Sequence, residues 1–154
     1  MTDKEYNIHN KIANLILAVF ALLGFMMIYI TYMFHFHGNG WIYYTNVPFP
    51  TDKSCYQSGE LVEYFTEYHQ NKNTEKVVSR TIKSACGDSY DFPPIYFSNA
   101  GELGLWTWWE KSTIIPEWFK PCDRAWITGT ATYTPNHFRE IKVGFRTQEF
   151  AIIK

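Results

Sequence analysis

The sequence predicts an N-terminal membrane-spanning helix followed by an all-β domain. Residues 12–34 form an apolar stretch of 23 residues without a charged side chain. From Trp41 onward, apolar and polar residues alternate with a period of two, and turn residues recur every ~8–12 positions. Aromatic residues make up 19% of the chain, which is typical of a domain built from strands and turns.

The apolar stretch is long enough to cross a bilayer. As a helix it measures about 34 Å, against a hydrocarbon core of about 30 Å. A cleaved signal peptide is the alternative, but the stretch exceeds the usual ~7–15-residue apolar region and no small-residue cleavage site follows it. We therefore expect an uncleaved anchor at 12–34, between a tail at 1–11 and a linker at 35–40.

The basic residues around this helix predict its orientation. Lys4 and Lys11 precede the helix, whereas the first Lys or Arg after it is Lys53. The positive-inside rule then places the tail in the cytoplasm and the domain at 41–154 on the extracytoplasmic side of the inner membrane.

The domain is predicted to contain about seven short strands. In the stretch 61–68, Leu61 and Phe65 alternate with Val62 and Tyr64, so each pair shares a face of a strand. The predicted strands are residues 41–47, 61–68, 76–86, 95–98, 104–109 and 125–133, with the last strand or strands between 139 and 152; turns are predicted at 99–101 and 134–137. This pattern indicates an antiparallel β-sandwich of immunoglobulin-like type.

Three cysteines can be placed on this topology. Cys86 at the end of the third predicted strand and Cys122 before the long strand share one pole of such a sandwich, and the two strands are sheet neighbours. Cys55 precedes the second strand, which lies in the opposite sheet about 10 Å away. In an oxidising compartment we therefore expect a Cys86–Cys122 disulfide, with Cys55 free or paired with a partner. The alternative is three reduced cysteines.

Residues 106–109 are the predicted partner-binding segment. In a strand, Trp106 and Trp108 lie on one face and Trp109 on the other. One face can fill the core, which leaves the other for a partner, and tryptophan is enriched at binding hot spots. The alternative is that Trp106, Trp108 and Trp109 all pack inside the domain.

The helix offers a second candidate contact. Small residues recur along one of its faces beside a polar asparagine, and small residues let membrane helices approach closely. The predicted helix–helix contact consists of Ala13, Asn14, Leu17, Ala21 and Gly24. Its partner would be another membrane protein or a second copy of the chain.

The sequence carries no motif for catalysis, a metal or a cofactor. There is no nucleophile elbow, Walker A motif or zinc-protease motif, and the net charge of −1 provides no basic field for nucleic acid. His35 and His37 lie two positions apart and do not face each other on a helix, so we interpret them as interfacial residues. We expect no enzyme activity, no cofactor and no metal site.

Several positions of the domain follow a pattern of known proteins. They are Gly59-Glu60-Leu61-Val62, Tyr133 with Asn136, Arg139-Glu140-Ile141, and Thr147, Phe150 and Ile152. On these positions the domain resembles small single-span membrane proteins of bacteriophages that carry an immunoglobulin-like β-sandwich outside the membrane. The resemblance implies a phage or bacterial setting and no defined activity.

Two functions stay open at this point. One is non-covalent binding of a transient protein partner at the extracytoplasmic membrane surface, for example by a phage protein directed at the host envelope. The other is a permanent accessory subunit of a membrane protein complex, docked through both the helix and the domain.

Overall fold

The computed structural model describes residues 3–98, 103–136 and 139–154, except for the side chains of residues 3–8, Trp108 and Ser112. It divides the chain into two compact units, Met1–His37 and Gly38–Lys154. The first is a single helix and the second is rich in β-structure. The predicted turn at 99–101 and residue His137 of the predicted turn at 134–137 lie outside the described residues.

The helix, α1, spans Asp3–His35 and is 33 residues long. It therefore continues through most of the predicted tail at 1–11 as well as the predicted anchor at 12–34. No glycine or proline lies between Asp3 and Lys11, so nothing interrupts propagation of the helix toward the N-terminus. At the other end, the N–H groups of Phe36 and His37 donate to the Tyr32 carbonyl at 2.9 and 3.0 Å.

The second unit contains nine strands in the described residues, where the sequence predicts about seven. The count is higher because residues 55–57 form a strand that the sequence did not predict and because the region from 139 onward forms two strands. The strands are β1 Ile42–Tyr44, β2 Cys55–Gln57, β3 Leu61–Gln70, β4 Lys76–Ser84, β5 Ser89–Phe97, β6 Gly104–Ile114, β7 Cys122–Asn136, β8 Arg139–Arg146 and β9 Phe150–Ile153.

The strands form two sheets. The three-stranded sheet has the order β1-β3-β6, and the six-stranded sheet has the order β2-β9-β7-β4-β5, with β8 paired to β7. In β7, Thr128 to Tyr133 pair with β8, whereas Cys122 and Ala125 pair with β9. β5 is an edge strand of the six-stranded sheet, and β6 is an edge strand of the three-stranded sheet.

Among the described strands, β2 and β9 pair in parallel, which the antiparallel prediction did not include. Cys55, Tyr56 and Gln57 of β2 run parallel to Ala151, Ile152 and Ile153 of β9. Cys55 consequently belongs to the six-stranded sheet, and not to the opposite sheet as predicted. The reason is that β2 is separate from β3 and reaches the other sheet before the chain turns back at Gly59.

Strand β5 extends across Pro93 and Pro94, although the sequence analysis began this strand only at residue 95. Proline has no N–H to donate to a neighbouring strand, so it is tolerated at an edge and excluded from the middle of a sheet. β5 is an edge strand, and its register with β4 shifts between Val78 and Arg80, so Pro93 and Pro94 lie at an irregularity and not at paired positions.

The core fills the space between the two sheets in two clusters. The larger one is built around fully buried rings, including Phe49, Tyr56 and Tyr64. The smaller one consists of Ile42, Tyr68 and Tyr133, with Trp41 and Trp106 packed against it. The alternation predicted for residues 61–68 is observed, because Val62, Tyr64, Thr66 and Tyr68 are buried and the intervening residues are half-buried.

Candidate functional site

The outward side of the three-stranded sheet carries an exposed group of apolar and aromatic residues. Alternation along β1, β3 and β6 turns these side chains away from the core. We call this surface the outer face, and it consists of Tyr43, Phe65, His69, Leu105 and Trp109. Leu105 is 58% exposed and Trp109 is 46% exposed, and both lie on the edge strand β6.

Strand register brings these residues into contact. Phe65 is paired with Trp109 and their ring centroids are 5.6 Å apart. Tyr43 is paired with His69, and their rings stack at 5.3 Å. Beside them, Lys111 Nζ lies 3.2 Å from a carboxylate oxygen of Glu63. On the same face, Glu67 pairs with Thr107 between the Phe65–Trp109 and His69–Leu105 pairs. The outer face is therefore a row of aromatic and apolar side chains with one carboxylate among them and an ion pair at one end.

The structure separates the three predicted contact tryptophans. Trp106 pairs with Tyr68, stacks on its ring at 6.4 Å and packs against the smaller core cluster, so it belongs to the interior side of β6. Trp109 lies on the outer face. The backbone of Trp108 pairs with Thr66, and its side chain lies outside the described part of the chain.

The residues of the predicted helix–helix contact all lie on α1 and are exposed. They are Ala13, Asn14, Leu17, Ala21 and Gly24. Among the described residues, no atom lies within 4 Å of a Cβ built on Gly24, the helix's own backbone aside. This side of the helix is therefore sterically open to a close neighbour.

The disulfide has the predicted partners. Cys86 and Cys122 are bonded, with Cα atoms 6.0 Å apart and a sequence separation of 36, and Cys55 is an exposed free thiol. The pairing follows from β4 and β7 being neighbours, since Ser84 lies opposite Ala125 just before the bond. The bond therefore links the end of one strand to the beginning of the adjacent one.

A cavity of about 30 Å³ lies between the two sheets. Strands β1, β3 and β6 provide one wall, and β4, β5 and β8 provide the other. Its polar lining residues are Tyr44, Tyr64, Thr66, Tyr68, Lys76, Arg80 and Glu110. We call this space the inter-sheet cavity. The cavity was not predicted from the sequence, although Lys76 and Arg80 interrupt a strand that is otherwise rich in Val, Thr and Ile.

The buried arginine of the cavity has an acidic neighbour. Arg80 is 5% exposed, and its Nη1 atom lies 3.3 Å from Glu110 Oε1 and 3.3 Å from Thr113 Oγ1. A buried cation is tolerated when a carboxylate and hydrogen bonds replace its hydration. The charges of Arg80 and Glu110 therefore offset each other within the cavity wall.

The buried lysine of the cavity has neutral neighbours. Lys76 is 7% exposed, and its Nζ atom donates to Tyr68 Oη at 2.7 Å and to Gln70 Oε1 at 3.2 Å. The same nitrogen lies 3.9 Å from the centroid of the Tyr68 ring and 5.2 Å from that of Phe97. Within residues 3–98, 103–136 and 139–154, no carboxylate forms an ion pair with it.

Burial shifts the titration of the groups in this cavity. It lowers the pKa of Lys76 to about 8 because the ammonium loses hydration. Burial also raises the pKa of Tyr64 and of Tyr68 to about 12, so both phenols stay protonated at neutral pH. Near pH 7 Lys76 therefore still carries its charge, and it lines the cavity together with the Arg80–Glu110 ion pair.

The predicted histidine pair is not joined by further metal ligands. His37 lies against the Tyr32 ring at 5.9 Å, and the rings of His35 and Phe36 are 6.4 Å apart. No group of three or more His, Cys, Asp or Glu residues suited to a metal ion occurs in the described part of the chain.

Comparison with known proteins adds distant structural neighbours. No protein-family model and no curated protein sequence matches this chain. Among solved structures, the alkylpurine DNA glycosylase AlkC of Pseudomonas fluorescens, bound to DNA containing an abasic-site analogue, aligns at 10% identity and a TM-score of 0.42, over 76% of this chain and 32% of that one. The sporulation control protein Spo0M of Bacillus subtilis aligns at 10% identity and a TM-score of 0.42, over 73% of this chain and 49% of that one.

These alignments span less than half of the neighbours' own length. At this identity and TM-score they support no statement about the activity of the present chain.

Proposed function

We propose that this chain is a single-pass inner-membrane protein whose β domain binds another protein non-covalently at the extracytoplasmic surface. Residues His9–His35 form a helix whose most apolar 18-residue stretch has a mean hydropathy of 2.4 and contains no buried residue. Apolar side chains over that length favour a lipid environment. The lysines before the helix and the absence of Lys and Arg between it and Lys53 favour a cytoplasmic N-terminus.

We further propose that the domain is an immunoglobulin-like sandwich. In the six-stranded sheet, β4 pairs with β7 and β7 pairs with β9, as strand C pairs with F and F with G in immunoglobulin domains. In the opposite sheet, β3 pairs with β6, as strand B pairs with E. In such domains, the exposed outer surfaces of the sheets are available to partners while the inner faces form the core.

The observation that carries the proposed binding function is the outer face. Trp109 and Leu105 are about half exposed, and Trp109 lies against the Phe65 ring. The Lys111–Glu63 ion pair lies farther along the same two strands. Exposed aromatic and large apolar side chains next to charged ones are typical of binding surfaces. A partner that covers this face would remove Trp109 from water.

The proposed partner is a membrane or envelope protein. The resemblance of the domain to phage membrane proteins favours a protein of the host envelope. The exposed small-residue side of α1, with open space at Gly24, favours a second candidate function, that of a permanent accessory subunit. Stoichiometric co-purification with one membrane protein in mild detergent would favour the second function over transient binding.

The binding proposal is tested by site-specific photo-crosslinking of the full chain in cells. A photoreactive amino acid at position 109 is expected to yield a discrete protein adduct. The Trp109→Ser variant is expected to weaken capture of that same protein by roughly 30-fold or more, because truncating a hot-spot aromatic costs at least about 2 kcal/mol.

Trp118 provides the matched control, since it is 57% exposed but lies in the connection between β6 and β7. The Trp118→Ser variant is expected to retain binding, and a photoreactive residue at 118 should not yield the adduct. Equal capture by wild type and Trp109→Ser, or loss of binding only in Trp118→Ser, would show that the outer face is not the contact surface.

A further inference from the structure

We propose that the inter-sheet cavity binds a small inorganic anion, chloride or an ion of similar size, against the ammonium group of Lys76. The cavity is lined by Lys76 and Arg80 from β4 and by Glu110 from β6. It is distinct from the outer face, so the proposal stands independently of the proposed binding function.

The charge of Lys76 favours an anion in the cavity. Arg80 and Glu110 form a pair, which leaves the charge of Lys76 without a carboxylate among the described residues. Placing an ammonium in a low-dielectric interior is unfavourable unless an opposite charge is nearby. A monovalent anion in the cavity would neutralise the remaining charge and would interact strongly because the surroundings screen it weakly.

The hydrogen bonds of the Lys76 ammonium group also favour an anion. A lysine ammonium has three N–H donors, and the two acceptors that Lys76 reaches are Tyr68 Oη and Gln70 Oε1. The third donor has no acceptor in the described hydrogen bonds of Lys76, and the residue lines the cavity. An anion in the cavity would accept this third hydrogen bond.

The volume of the inter-sheet cavity restricts the ligand to a small ion. A cavity of about 30 Å³ corresponds to the space of about two water molecules. A halide ion fits such a space, whereas a phosphate ester, a nucleotide or a carbohydrate does not. The chemical class of the ligand is therefore a small anion without organic substituents.

The inter-sheet cavity lies close to the edges of both sheets. The cavity is lined by Ile95 and Phe97 of β5 and by Glu110 of β6, and both strands are at the ends of their sheets. The Glu110 side chain is 16% exposed. The side of the domain between these two edge strands therefore gives an ion a short path from solvent to Lys76.

The test is thermal unfolding of the full chain in a neutral detergent at constant ionic strength, with sodium gluconate replaced stepwise by sodium chloride or bromide. Gluconate is too large for the cavity. We expect the wild-type Tm to rise in a saturable manner, by roughly 4 °C or more at ten times the dissociation constant.

The Lys76→Met variant is expected to lose the saturable rise. Lys83→Met is the matched control, because Lys83 is an exposed residue of the same strand, and it should keep the rise. An absent rise in wild type, or an equal rise in Lys76→Met, would overturn the proposal.

A direct measurement keeps the proposal testable if Lys76→Met does not fold. In wild-type crystals soaked in bromide, an anomalous signal is expected within hydrogen-bonding distance of Lys76 Nζ. A cavity that contains water and no anomalous signal at saturating bromide would overturn the proposal.

Discussion

Single residues on β7 and β8 show how closely the core is packed. A Cβ atom built on Gly129 would lie 2.1 Å from Cζ of Phe145. The Phe145 ring is itself held by contacts with Tyr44 and Phe49, at centroid distances of 5.1 and 5.2 Å. The ring therefore has little freedom to move away, and only glycine fits beneath it. The neighbouring Gly144 has its nearest atom at 3.9 Å.

The Gly129→Ala substitution is expected to lower the free energy of unfolding by about 1–3 kcal/mol, because the added methyl group overpacks the core against Phe145. Gly144→Ala is the matched control. It is expected to be neutral or to stabilise by up to about 1 kcal/mol, through reduced freedom of the unfolded chain. Denaturant unfolding measures both values, and equal losses in the two variants would contradict this account.

At the scale of elements, the disulfide and the edge strands decide how the sheets are held. The bond between Cys86 and Cys122 closes a loop that contains β5, β6 and the connection to β7. The N–H of Ala85 also donates to the Arg124 carbonyl at 2.8 Å, so the two strands already approach each other without the bond. The disulfide therefore acts mainly by restricting the unfolded chain.

Replacing Cys86 and Cys122 together by serine is expected to lower the free energy of unfolding by roughly 3–4 kcal/mol, from the loop entropy of the unfolded chain. Cys55→Ser should change the free energy of unfolding by less than about 0.5 kcal/mol, because the Cys55 thiol is exposed and unbonded. Denaturant unfolding under non-reducing conditions checks both values. A peptide map that finds Cys55 in the internal bond would contradict the assignment.

At the scale of the whole molecule, the two units satisfy their apolar side chains differently. The β unit encloses a core between two sheets. The helix exposes large apolar side chains along its length, including Leu17, Phe20 and Phe25, each about 70% exposed. Exposure of that much apolar surface to water is unfavourable, so lipid or a partner must cover it.

Labelling of the free thiol tests the proposed orientation. In spheroplasts of a bacterial host, a membrane-impermeant maleimide is expected to label Cys55, because the residue is exposed and the domain is proposed to lie outside. A His9→Cys variant in the Cys55→Ser background should be labelled only after lysis. Labelling of Cys55 only after lysis would contradict the orientation, and a mature chain starting near Gly38 would contradict the anchor.

The sequence alone determined the local features of this protein. An uninterrupted apolar run specifies a helix, and the period of two around Val62 and Tyr64 specifies a strand together with its buried face. The same reasoning placed Trp106 and Trp109 on opposite faces and selected Cys86 and Cys122 as the bonded pair, because a strand's faces and ends follow directly from the order of its residues.

Only the tertiary structure decided which strands become neighbours and which face of each strand meets the other sheet. The parallel pairing of β2 with β9, the position of the two prolines of β5 at an edge and the exposure of Trp109 rather than Trp106 all depend on partners distant in sequence. The same holds for Lys76, whose burial beside Tyr68 arises when two sheets close over it. Such outcomes depend on competing long-range contacts, which a local pattern of residues does not encode.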